Sequence, residues 1–316
     1  MSKTTLARHR RDMRPNGRNW PLLLAAFIIT GGSAKTSTII MLAVTLALRG
    51  YKVRVFDFDH QRSASHILCA MDELPAGHPT IWELMHGASL EECSVPARYV
   101  SVPANPGAST QDDPQAGNAQ YEMIEGLSIV PGSRNVKNFD TESAQDGMLL
   151  TWFRELCDAY DGDDDVWLLD LPASLSKLVV SALIPFQEED EIVPPVLVTS
   201  KEATDLKATF EELAEMRKQQ NARSRIRKTE PTIKHILMCG TPTPSRPDSE
   251  GDLTVAAMKE TYGEHFTLHT VKWSGVIRQQ HRRQAPVHAF GNRNAAPIED
   301  YNKVATALGF QDLNPA

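Results

Sequence analysis

Cysteine is scarce in this chain. The four present (Cys69, Cys93, Cys157, Cys239) are scattered through 316 residues, with no CxxC pair. A disulfide framework and a thiolate zinc site are therefore not expected, and a reducing compartment is. Long apolar runs are missing too. The longest, Leu22–Ile29, has eight residues, against the ~20 that a membrane-spanning helix needs. Arg8, Arg10, Arg11, Arg14 and Arg18 precede it, and it leads into glycines rather than a small-residue cleavage site, so it is not read as a secretory signal. Positive charge is not in excess: 33 Lys and Arg face 40 Asp and Glu, a net charge of −7. A uniformly basic nucleic-acid binder is excluded, whereas a local basic patch is not. His60, His66, His235 and His281 fall at no metal-ligand spacing, no Ser-His-Asp set can be assigned, and no internal repeat is found.

What remains is the composition of a globular protein, 41% hydrophobic and 23% charged. The length suits one large α/β domain or two smaller ones, with enough chain for a sizeable core. Residues 1–20 hold six Lys and Arg against one acid, Asp12, and read as a basic, flexible arm. Residues 21–316 read as a single domain. Residues 101–120 carry three prolines, two glycines and almost no large apolar side chain, and are expected to form a loop or insertion.

The periodicity predicts strand, glycine turn, helix and strand over Leu22–Thr30, Gly31-Gly32, Thr36–Arg49 and Lys52–Phe58. This is a βαβ unit, and a continuous apolar first strand suits a parallel sheet covered on both faces. The rhythm resumes with strands at Leu127–Val130, Val166–Leu171, Pro195–Thr199, Lys234–Cys239 and Leu268–Val271. Helices are expected at Gly147–Tyr160, Ala203–Gln220, Leu253–Tyr262 and Asp300–Leu308. The fold class expected is a doubly wound, mostly parallel sheet with helices on both faces.

Gly31, Gly32, Ser33, Ala34, Lys35, Thr36 and Ser37 combine a glycine turn, a helix N-terminus and a cation, which together suit a phosphate. Lys35 is placed to reach β- and γ-phosphates, and the Thr36 hydroxyl to ligate Mg²⁺. The strict pattern G-x-x-x-x-G-K-[ST] is not met, since Ile29 and Ala34 stand where its glycines belong. Asp57 and Asp59 end the second strand and Asp170 ends a later one, at the sheet edge where ligands bind. Carboxylates there can hold magnesium through water and orient an attacking water.

These residues resemble the ParA/MinD group of P-loop ATPases. Thr30-Gly31-Gly32-Ser33-Ala34-Lys35-Thr36-Ser37 is similar to their deviant Walker A motif, K-G-G-x-G-K-T-[ST]. Phe56-Asp57-Phe58-Asp59-His60-Gln61-Arg62-Ser63-Ala64-Ser65 resembles I-D-x-D-x-Q-x-S-A-S, and Leu168–Ala173 resembles the Walker B segment. The C-terminal stretch from Trp273 to Leu308, with Ala285-Pro286-Val287, is similar to ParA, and the likeness spans roughly residues 22–310. It implies ATP and Mg²⁺ as cofactors and an ATP-bound homodimer that binds nonspecific DNA. It further implies a ParB-like or other adaptor that stimulates slow hydrolysis, a cytoplasmic, nucleoid-associated location, and a cargo that is most often plasmid DNA. By position, Lys35 would contact phosphate, Thr36 would bind the metal, Asp57 and Asp170 would stand in its outer shell, and Asp59 would polarise water. Pro286 would fall at the nucleotide.

Two positions depart from the pattern. The signature lysine is Thr30 here, and threonine delivers no charge to a transition state. Lys201 is the first candidate to substitute from the partner subunit and Lys177 the second, a replacement like that of the carboxysome-positioning branch. Ala34 replaces a glycine, at a cost of ~1–2 kcal/mol if the position needs positive φ. Arg278, Arg282 and Arg283 form a basic spot suited to DNA phosphates, and residues 217–228 form another. The C-terminus, Gly309–Ala316, is short and proline-broken, unlike a membrane-binding amphipathic helix. The alternatives are a weakly or non-hydrolysing ATP-binding adaptor for a conjugation, pilus or organelle-positioning system, and a biosynthetic ligase on the same fold.

Overall fold

The computed structural model describes residues 18–69, 71, 74–102, 120–224, 228–291 and 295–314. The expected βαβ opening is present as β1 (Leu22–Ala26), α1 (Lys35–Leu48) and β2 (Val53–Asp57). Short helices α2 (Ser63–Leu68), α3 (Ile81–Met85) and α4 (Leu90–Cys93) follow, then β3 (Val95–Val102) and β4 (Gln120–Val130). Next come α5 (Phe139–Gln145), α6 (Trp152–Ala159), β5 (Val166–Asp170), α7 (Lys177–Leu183), β6 (Glu191–Ile192) and β7 (Pro195–Leu197). The chain continues with α8 (Ser200–Arg223), β8 (His235–Thr241), α9 (Ser249–Tyr262) and β9 (Thr267–Lys272), and ends with α10 (Gln279–Arg283), α11 (Val287–Phe290) and α12 (Ala296–Ala307).

Six strands run in the order β3-β4-β2-β5-β1-β6, all parallel except the edge pair β3–β4. A second parallel ladder, β7-β8-β9, begins three residues after β6. Val193 N–H still donates to Ala25 and Leu237 N–H to the Pro194 carbonyl. Pro194 and Pro195 have no N–H to give, which splits one path of chain into two short strands. The doubly wound class expected from the sequence is thus the architecture found.

Both faces of the sheet are covered. Along β1, Leu23 and Ala25 join Phe56, Trp167 and Leu169 in one core, while Leu24 and Ala26 join Val53, Val55 and Leu168 in another. A strand buried on both sides reads as unbroken hydrophobic sequence, which explains the Leu22–Ile29 run. α1 is apolar nearly all round because it lies between that second core and α12, where the Thr38 hydroxyl meets Tyr301 OH at 2.8 Å.

Some boundaries differ from expectation for identifiable reasons. The first strand stops at Ala26, because Phe27–Ala34 must turn back toward α1. Gly147–Thr151 is a 3₁₀ turn rather than the start of α6. α12 starts earlier, with Pro297 in its first turn, a position where the missing N–H costs nothing. Ser101, Val102 and Gln120, placed in a loop by composition, belong to β3 and β4; residues 103–119 of that expected insertion lie outside the described residues. Among the described residues no helix is long and apolar enough to cross a membrane.

Residues 1–17 of the expected basic arm also lie outside the described residues, but Arg18 and Trp20 are buried. Arg18 grips Asp190 with two N–H···O contacts of 2.6 Å, and Asp190 also accepts from the N–H groups of Leu23 and Gln187. Their side chains are only 3% and 0% exposed. We expect Asp190→Ala to cost ~3–5 kcal/mol, since it strands a buried guanidinium and two amides. Urea unfolding with unchanged slope would register it as a fall in midpoint; a loss below ~1 kcal/mol would show that Arg18 escapes to solvent.

Candidate functional site

Between β1 and α1 the backbone twists through left-handed conformations at Gly32 (φ +77°) and Ala34 (φ +66°). Glycine adopts this freely, whereas Ala34 bears the ~1–2 kcal/mol steric cost anticipated for it. No side chain caps α1, and its first turn contains no acid. Its leading N–H groups, with the positive end of the helix dipole, are therefore offered to an anion. Gly31 and Gly32 have open space where a Cβ would stand.

Lys35 is buried and folded back into this turn. Its Nζ donates to the Thr30 carbonyl at 2.7 Å and, at greater length, to Ser33 Oγ (3.3 Å) and the Ile28 carbonyl (3.4 Å). Burial lowers its pKa, and the carboxylates of Asp170 and Asp59 pull it partly back. The turn is gripped from behind by α8. Thr30 Oγ1 donates to Asp205 Oδ2 at 2.5 Å, Ile29 N–H to Thr209 Oγ1 at 3.2 Å, and the Thr209 hydroxyl to the Asp205 carbonyl.

β2 and β5 are register partners, which sets Asp57 beside Asp170 at the carboxyl end of the sheet. Both are buried. Asp57 is satisfied by protein: it accepts from Ser65 N–H (2.9 Å), Ser65 Oγ (2.6 Å) and Asp59 N–H (3.2 Å). Ser65 in turn is held by Gly132 N–H, and a Cβ on Gly132 would run into Asp57 at 2.9 Å. Even so, burial raises the Asp57 pKa to about 6. Among the described residues neither oxygen of Asp170 meets the geometry of a hydrogen bond, although the Thr36 hydroxyl stands close enough to favour its ionised form. Burial pushes its pKa well above 3.8, the Asp57 carboxylate adds to that, and Thr36 and Lys35 only partly counter it. A buried carboxylate with two idle oxygens is costly unless something outside the chain meets it. Oxygen donors from Asp170, Asp57 and Thr36 are the set that magnesium takes, so the residues fit that ion.

The phosphate turn, with Lys35 and Thr36, and Asp59 line a cleft of about 790 Å³, while Asp57 and Asp170 are buried behind its lining. Gly31 to Ser37 floor it, Asp59, His60 and Gln61 form one wall, Pro172-Ala173-Ser174 another, and Cys239, Gly240, Trp273 and Tyr301 the far end. Trp273 is covered by the Arg246 guanidinium, 3.6 Å from its ring centre. Trp273, Arg246 and the Lys272–Asp300 ion pair (2.9 Å) had no assigned role in the sequence reading. Single residues on separate loops leave no spacing to detect.

Not every expected residue joins the cleft. Pro286 lines a separate cavity with Tyr51, Tyr99 and His288, because it caps the start of α11 beside Val44, Ala47 and Leu48, at the opposite end of α1 from the phosphate turn. Lys201 is exposed in the first turn of α8, outside the cleft lining. Lys177 is exposed at the start of α7. Arg278 lines the cleft mouth, while Arg282 and Arg283 are exposed on α10, the latter over Phe290 at 4.7 Å. Arg225 and Arg227 of the second basic stretch lie outside the described residues.

The unmet charge of Asp170 has a measurable consequence. Its folded pKa stands above its unfolded one, so the penalty is absent at acid pH and complete once pH exceeds the folded value. Asp170→Asn is therefore expected to stabilise the ligand-free protein by ~1–2 kcal/mol at pH 8, with the gain shrinking as pH falls below the folded pKa and gone below the unfolded one. Thermal melts across pH test this; a variant less stable at pH 8 would contradict it.

The AAA domain family (AAA_31) matches residues 24–226. A curated relative, a putative replication protein A of Rhizobium rhizogenes, is 29% identical over 168 residues, covering 48% of this chain; the match spans only 35% of the relative's own length. Among solved structures, McdA of Cyanothece in complex with ATP superposes with a TM-score of 0.68 at 15% identity, over 95% of this chain and 100% of that one. A plasmid partition protein of Borrelia burgdorferi bound to AMPPNP gives 0.65 at 13% identity, over 90% and 97%. The septum site-determining protein MinD of Pyrococcus horikoshii OT3 with Mg-ADP gives 0.58 at 18%, over 91% and 95%. Sheet order, phosphate turn and these superpositions agree: the chain has the fold of the ParA/MinD-type P-loop ATPases and belongs to the AAA domain family.

Proposed function

We propose that this chain is a ParA-like ATPase that binds Mg-ATP in the cleft, dimerises on it, and positions a cargo, plasmid DNA being the favoured one. The observation that carries the reading is an uncapped α1 N-terminus lining the cleft with the buried Asp170 carboxylate close to its Lys35 and Thr36, an anion site beside a cation site. In this reading Lys35 exchanges its carbonyl partners in the turn for phosphate oxygens. Thr36, Asp57 and Asp170 hold the metal, which supplies charge neutralisation at the phosphates when bound. Asp59, at the cleft wall, orients the attacking water. The nucleotide-bound relatives of this fold support the choice of ligand.

The second reading, an ATP-binding adaptor with little turnover, is favoured by one observation. Thr30 is neutral, and its hydroxyl is committed to Asp205, so no cation stands where the signature lysine would. Hydrolysis then needs a cation from a partner subunit, and exposed Lys201 at the head of α8 remains the first candidate.

Turnover measured with and without nonspecific DNA and a candidate adaptor separates the two. Lys35→Ala is expected to weaken ATP binding ~10–100-fold. Asp59→Ala should bind ATP normally while losing ~10²–10⁴ in turnover, and Lys201→Ala should lose the stimulated component alone. ATP-dependent dimers without turnover would favour the adaptor; no ATP binding would end both readings. For DNA, we expect the slope of log affinity against log salt to flatten by ~0.9 for each of Arg278, Arg282 and Arg283 that contacts a phosphate and is replaced by Ala. A salt-independent interaction would contradict DNA binding by this patch.

A further inference from the structure

Asp59 does not stand alone in the cleft wall. His60 Nδ1 lies 3.2 Å from Asp59 Oδ1, and His60 Nε2 lies 2.7 Å from the side-chain nitrogen of Gln61. The backbone N–H of Gln61 donates to that same Asp59 Oδ1 at 2.9 Å. All three side chains face the cleft. A carboxylate oxygen opposite Nδ1 demands a proton there, so Nε2 is the acceptor and the Gln61 amide its donor. The Gln61 amide thus donates to His60, whose Nδ1 edge lies in ion-pair contact with Asp59. The Gln61 N–H and the Nδ1 edge both meet Oδ1, and no hydrogen bond from the described residues reaches Oδ2. Asp59 itself is only 22% exposed, and the imidazole, half exposed, sits on its solvent side.

We propose that His60 is a positioning residue for hydrolysis. It pins Oδ1 and fixes the rotation of the Asp59 carboxylate, leaving Oδ2 directed to the water that attacks the terminal phosphate. The inference rests on the ATPase reading above and adds a residue to it. A carboxylate held by a single backbone N–H rotates about its last bond, and a base that must be reoriented at each turnover is a slower one. His60 removes that freedom.

The geometry separates positioning from general packing, because asparagine carries its amide nitrogen where histidine carries Nδ1, while glutamine carries it one carbon further out. Steady-state ATPase on the full chain, with ATP affinity measured independently by a fluorescent nucleotide analogue, reads the difference. His60→Ala and His60→Gln are expected to lower kcat about five- to tenfold with ATP affinity unchanged. His60→Asn should restore most of the turnover lost in His60→Ala. In the Asp59→Ala background, His60→Ala should cost nothing further, since both act through one carboxylate. The proposal is overturned if His60→Ala keeps full turnover, if His60→Asn is as slow as His60→Ala, or if the loss falls on ATP affinity. Wild-type protein that binds ATP without turning it over would overturn the enzymatic reading and this proposal together; turnover that Asp59→Ala abolishes and His60→Ala spares would sink the proposal alone.

Discussion

Two carboxylates lie side by side where β2 and β5 end, both withdrawn from water, and only one is satisfied by the chain. Asp57 is held by Ser65 and by the amide of Asp59; among the described residues Asp170 has no well-formed hydrogen bond, only the nearby Thr36 hydroxyl and Lys35 charge. A protein that meant only to fold would not leave two such oxygens idle beside a like charge. The asymmetry makes sense as a division of labour. Asp57 is the fixed element that locks α2 and the Gly132 turn to the sheet. Asp170 is left ready for a ligand close to Lys35 and Thr36, which line the cleft that the free N–H groups of α1 face. Stability is sacrificed locally for a site where the sheet brings opposite charges together.

Thr30 does more than close the turn. The threonine hydroxyl and the neighbouring Ile29 amide tie the phosphate turn to Asp205 and Thr209 on the second and third turns of α8. The threonine reaches inward, to the chain's own longest helix. The turn is thus bound to α8 by side chains that the sequence pattern around Gly31-Gly32 does not reveal.

Much of the fold was legible because strands buried on both faces and a helix apolar all round leave unmistakable runs, as in Leu22–Ala26, Ile39–Ala47 and Val166–Leu169. The five residues Lys35, Thr36, Asp57, Asp59 and Asp170 were legible for the related reason that each follows such a run, so strand order alone brings them to one edge. What escaped has the opposite character. β3 and the first half of β4, ahead of the expected strand Leu127–Val130, are held by backbone bonds with exposed residues such as Gln120, Glu122 and Met123 between, and carry no hydrophobic period. Trp273 and Arg246 come from separate loops and meet by stacking alone. Pro286 was misplaced because motif order along the chain says nothing of which end of α1 the last helices pass. His60 was set aside for want of metal-ligand spacing, yet its partners are its immediate neighbours.

The Arg18–Asp190 pair shapes how this sequence can drift. Losing either member first leaves an uncompensated charge in a dry place, while exchanging both for well-packed apolar residues is close to neutral. The two positions lie far apart in the chain, so no single codon change crosses between the two solutions without passing through a damaged protein. Descendants of this chain should therefore carry both ions or neither, and the linkage should persist whatever happens to the chemistry at the opposite edge of the sheet.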